Sequence, residues 1–96
     1  MSERSGASIA TRQGELISIR IGVEANFLED LLETLAELPF DINPQILHHL
    51  PGRYDTAIEF PGYDPWMGKI RKALAQSGFP ATSLQARPMI EELQAH

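Results

Sequence analysis

The sequence predicts an α+β domain: a ferredoxin-like βαββαβ sandwich whose four-stranded antiparallel sheet, in the order 4-1-3-2, carries two helices on one face. Three observations lead there. Apolar residues recur at every second position in 15–23 and again in 54–60. They recur in the helical i, i+3, i+4, i+7 pattern in 26–38 and in 64–78. Glycine or proline stands at each junction: Gly22, Pro39, Pro51-Gly52, Pro61-Gly62 and Gly78 with Pro80. Right-handed crossovers then set the strand order.

Each element has its own reason. In 15–23, Ile17, Ile19, Ile21 and Val23 alternate with Leu16, Ser18, Arg20 and Gly22, which is a half-buried strand. Leu28, Leu31, Leu32, Leu35 and Leu38 make the stripe of the first helix, with Phe27 at its border. Asn26 is its expected N-cap, with Glu29 three residues on as the other half of a capping box, and Pro39 ends it. In 41–49, Ile42 and Ile46 share strand parity with Pro44, and a proline within a strand points to a sheet edge. Leu50-Pro51-Gly52-Arg53 fits a type II turn into the next strand, 54–60, with Thr56, Ile58 and Phe60 inward. Pro61-Gly62-Tyr63 is expected to break that strand, and Asp64 to cap a second helix that has Pro65 at its first position. Met67, Ile70, Ala73 and Leu74 form this helix's apolar stripe; Gly78 closes it in a left-handed cap with Phe79 as the apolar contact. A last strand fits 82–87, with Leu84 and Ala86 inward. Residues 15–88 thus make one domain, 1–14 read as a disordered tail, and 89–96 as a tail or short helix.

Ninety-six residues are enough for one core: by area scaling about 65% of the unfolded surface is buried on folding. With 13 acidic against 8 basic residues the net charge is −5, which argues against a protein held on nucleic acid by phosphate contacts. The chain has no cysteine, which removes disulfides, thiolate catalysis and cysteine-ligated metals. No secretory signal and no apolar run of membrane-spanning length is present, so a cytoplasmic protein is expected.

No enzyme motif emerges. GxSxG, GxxxxGK[ST], GxGxxG and HExxH are absent, and the carboxylates do not form an inward-facing pair. An acylphosphatase would need an arginine in the loop after the first strand, where this chain has Gly22-Val23-Glu24-Ala25-Asn26 and an acid that repels phosphate. No cofactor is expected. His48-His49 is a candidate metal pair, although neighbouring side chains on a strand point to opposite faces, so that Asp41, Asp55 or a second chain would have to help.

Surface features point to association. The sheet face without helices is expected to carry Ser18, Arg20, Leu47, His49, Asp55, Ala57, Glu59, Ser83, Gln85 and Arg87, with Arg20 and Glu59 paired across strands. RNA binding there would need exposed aromatics, but Phe60 has inward parity and Tyr54 lies at a strand end. Residues 24–38 hold Glu24, Glu29, Asp30, Glu33 and Glu37 and no base, whereas 64–78 hold Asp64 against Lys69, Arg71 and Lys72. Tyr63 and Trp66, the only tryptophan, crowd one strand-to-helix corner, where Trp66 joins the core, anchors an interface or stacks on a ligand. Candidate interface residues are therefore Arg20, Glu59, Tyr63, Trp66 and Arg87.

In element order, residues 15–88 resemble the ACT domains and the PII-like signalling proteins. The resemblance implies a regulatory module that associates through sheet faces or edges. It also makes Gly22, with Glu24 and Asn26 in the same loop, the candidate small-ligand site. The long loop of PII-like proteins has no counterpart, because Leu50–Arg53 is a short connection. The expected function is a non-enzymatic interaction or regulatory module acting as a homo-oligomer or with a protein partner. The alternative is a sensor of a small ligand or metal.

Overall fold

A computed structural model describes residues 10–11 and 14–89. In order they form β1 (Ala10–Thr11), β2 (Gly14–Val23), α1 (Leu28–Ala36), β3 (Gln45–Leu47), β4 (Thr56–Tyr63), α2 (Trp66–Gln76) and β5 (Leu84–Pro88). Single 3-10 turns occupy Ala25–Phe27 and Ala81–Ser83. The protein is α+β. β5, β2, β4 and β3 lie side by side in that order in an antiparallel open sheet, which is 4-1-3-2 when the four expected strands are counted along the chain. β1 is an addition: Ala10 and Thr11, expected in the tail, pair with Glu15 and Gly14. Residues 1–9 and 12–13 of that tail, and 90–96 of the expected C-terminal tail or helix, lie outside the described residues.

The period-two pattern of β2 becomes its buried face. Ile17, Ile19, Ile21 and Val23 are buried, and Ile19 and Ile21 stand opposite Phe60 and Ile58 of β4. Leu31 and Leu35 of α1 and Met67, Ile70 and Leu74 of α2 belong to the same core cluster. Leu28, Leu32, Leu38, Phe79 and Leu84 pack against it. Among the described residues no helix is long and apolar enough to cross a membrane.

The end of α2 follows its sequence signature. Gly78 has φ +84, Phe79 N–H donates to Leu74 O at 2.9 Å, and Gly78 N–H to Ala75 O at 3.2 Å. These are the two bonds of a Schellman cap, which needs the left-handed residue that glycine provides. Gly52, at φ +101, supplies the corresponding residue of the turn after Pro51.

Several local expectations are corrected. Pro61-Gly62-Tyr63 does not break β4, which runs on to Tyr63 with Pro61 opposite Ser18. β3 begins, at Gln45, opposite Glu59, so Pro61 lies where β4 has no β3 neighbour to receive an N–H. At its start β4 is shorter than expected: Tyr54 and Asp55 precede it. The third segment contracts to three residues at the sheet edge, immediately after Pro44. His49 lies beyond it at φ +58 and is not a strand residue. The last strand starts at Leu84; Ser83, expected on its outer face, is buried in the preceding turn and donates to Pro80 O at 2.7 Å. Neither helix has the expected side-chain cap. Asn26 lies inside the 3-10 turn ahead of α1, and it is the Asp55 carboxylate that accepts a backbone N–H there, from Ala25 at 2.9 Å. Asp64 instead clamps β2: its Oδ1 accepts Glu15 N–H at 3.1 Å while its own N–H donates to Glu15 O at 2.9 Å.

Candidate functional site

α1 and α2 border a groove of about 950 Å³. On α1 the spacing of three and then four residues puts Asp30, Glu33 and Glu37 on one stripe, and this stripe lines the groove. Lys69, Lys72 and Gln76, at the same spacing, line it from α2. One wall is acidic and the other basic. The two do not neutralise each other by contact: among the described residues the ion pair is Arg20–Glu59, on the sheet, and none joins the helices. The Thr34 hydroxyl donates to Ser77 Oγ at 3.0 Å, which ties α1 to the residue just after α2.

Gly22, Glu24, Arg53 and Tyr54 also line the groove. Gly22 permits the approach of the Tyr54 ring: a Cβ there would lie 2.7 Å from Tyr54 Cδ2. The Arg53 guanidinium sits 5.3 Å from the centre of the same ring, within cation–π range. The Tyr54 hydroxyl is buried and has no hydrogen-bond partner among the described residues. Of the expected ligand residues, Gly22 and Glu24 thus reach the groove. Asn26, exposed in the 3-10 turn, does not line it.

On the sheet, Arg20 faces Glu59 in register, with Nη1 3.3 Å from Oε2 and both side chains about a third exposed (35% and 29%). Gln85 stands opposite Arg20 on the other side, and Arg87 opposite Ser18. A smaller hollow of about 320 Å³ runs over Arg20, Gly22, Ala57 and Gln85 toward the Leu50–Tyr54 turn. Ala57, expected on the outer face, is nonetheless buried.

Trp66 is half-buried between two rings. Phe40 stacks on it at 4.0 Å with the planes 9° apart, and Tyr63 meets it edge-on at 5.3 Å. Gly62 lies beneath, where a Cβ would be 2.7 Å from both Trp66 Cε3 and Ile19 Cδ1. The corner is therefore packed into the fold while keeping part of its surface exposed. His48 and His49 are exposed with ring centres 6.2 Å apart. Among the described residues no group of three or more histidines and carboxylates is placed to hold a metal, and Asp55, proposed as a helper, is engaged with Ala25 and Thr56.

Sequence reasoning missed Arg53, Tyr54 and Phe40. Each lies in a connection, where periodicity is silent. For Tyr54 the available signal was a glycine in a strand interior, which often marks close approach by another group. No known family model, no curated protein and no solved structure matches this chain.

Proposed function

We propose that this domain is a ferredoxin-like sandwich, with both helices on one side of its sheet, and that it works by association. In this reading it is a non-enzymatic cytoplasmic module that acts as a homo-oligomer or regulates a protein partner. The shared core cluster of α1, α2 and the odd-numbered residues of β2 supports the helix placement. One observation carries the functional reading. The helix pair is split into an acidic and a basic wall whose charges are not consumed in contacts with each other. Unspent, segregated charge of this kind favours encounter with a complementary surface and sets its specificity. The test is absolute mass by light scattering from low micromolar to near millimolar. A concentration-dependent rise to a dimer or higher species is expected. A strict monomer that retains no partner on purification overturns the reading.

A second reading, a small-ligand sensor, is favoured by Tyr54, a groove-lining residue whose buried hydroxyl has no hydrogen-bond partner among the described residues. A thermal-shift panel of amino acids, nucleotides and divalent metals tests it. A shift reversed by Tyr54→Phe supports a ligand at that hydroxyl, and a flat panel removes the reading.

A further inference from the structure

We propose that the occupant of the helix surface is a second copy of this chain, docked about a two-fold axis that runs between the two charged stripes. The inference rests on the association reading and deepens it by naming both the partner and the surface.

Residues 24–37 contribute Glu24, Glu29, Asp30, Glu33 and Glu37 and no base, and α2 contributes Lys69, Arg71 and Lys72 and no acid. Asp30, Glu33, Lys69 and Lys72 are exposed, line the same groove, and make no ion pair among the described residues. The exposed Thr34–Ser77 hydrogen bond ties α1 to the residue just after α2.

Symmetry then selects the partner. A uniformly basic partner would be attracted to α1 and repelled by α2, and a uniformly acidic one the reverse. A surface carrying both signs side by side complements itself, because a two-fold axis between the stripes lays each acidic α1 over the other copy's basic α2. The same contact is then made twice. Exposed pairs of this type are individually weak, so the dimer is expected to be in rapid exchange and sensitive to salt. Phe27, 47% exposed, lines the same groove and is an apolar side chain that such a contact could cover.

The test uses the full chain in three forms: unchanged, Lys69→Glu with Lys72→Glu, and Asp30→Lys with Glu33→Lys. The first variant carries two acidic helices and the second two basic ones. The unchanged chain is expected to dimerise at about 50 mM salt and to weaken about tenfold or more at about 500 mM. Each variant is expected to be monomeric with unchanged circular dichroism and melting, and an equimolar mixture of the two is expected to regain the dimer mass. Self-association that neither variant changes, or that salt leaves untouched, overturns this docking mode while association itself stands. Folded variants that stay monomeric when mixed also overturn it. A monomer under all conditions overturns both the docking mode and the self-association reading. Should either variant unfold, the salt response of the unchanged chain decides by itself.

Discussion

Arg20 and Glu59 face each other across the two central strands, in register and 3.3 Å apart, on the side of the sheet opposite Ile19 and Phe60. The pair is partly wet, so its Coulomb attraction is screened and its contribution is a few tenths of a kcal/mol, not several. A double-mutant cycle with Arg20→Gln and Glu59→Gln is expected to give a coupling of about 0.2–1 kcal/mol. The coupling should shrink in high salt. A coupling above about 2 kcal/mol would mean that the face is drier in solution than this geometry implies.

Two glycines make opposed predictions. A Cβ at Gly62 would collide with Ile19 and Trp66 at 2.7 Å, and both neighbours are held in packed surroundings. Gly62→Ala is expected to cost about 1–3 kcal/mol in urea unfolding. A Cβ at Gly68, on an exposed turn of α2, meets nothing within 4 Å. Gly68→Ala is expected to stabilise by up to about 1 kcal/mol, because alanine reduces the freedom of the unfolded chain. Equal effects of the same sign at the two positions would contradict the packing of the Trp66 corner.

Asp55 accepts two hydrogen bonds, from Ala25 N–H at 2.9 Å and from the Thr56 hydroxyl at 3.2 Å. Through the first it anchors the turn ahead of α1 to the start of β4. Asp55→Ala is expected to cost about 1 kcal/mol, and Asn26→Ala, at the expected but unused cap, much less. Amide exchange should report the difference locally: Ala25 should lose protection in the Asp55 variant and keep it in the Asn26 variant.

Ile19 is fully buried at the centre of the sheet. Ile19→Asp places an unpaired charge there, among the costliest of single substitutions. The expected result is loss of the cooperative thermal transition and of near-native circular dichroism. A variant that melts normally would show that the buried face of β2 has been assigned to the wrong parity.

How legible the molecule was in its sequence depended on the range of the interactions. The β2 face, the leucine stripe of α1 and the Gly78–Phe79 cap are written in short repeats and local turn chemistry, and these came through. The pairing of Arg20 with Glu59 followed from parity and strand order, two steps from the sequence. The caps failed for a physical reason. Ahead of α1 the N–H of Ala25 is taken by Asp55 from a distant segment and not by Asn26, and Asp64 is turned away from α2 to the N–H of Glu15. Pro61 misled because a proline's cost in a strand depends on whether a neighbour waits for its N–H. That is a property of where β3 starts, which no local pattern near Pro61 records. The groove walls were visible as a split in charge between two segments, but their facing one another was not, and Tyr54 entered through a loop whose path only the fold defines.

The prolines have a consequence for the chain in crowded solution. Pro44 precedes a β3 of only three residues, Pro61 occupies the stretch of β4 that β3 leaves uncovered, and β5 ends on Pro88. Among the described residues, the runs of open backbone along the rim of the sheet are short or interrupted by a residue with no donor. A stray extended segment therefore finds no template long enough to copy, and recruitment of chain after chain into fibres is deprived of its first step.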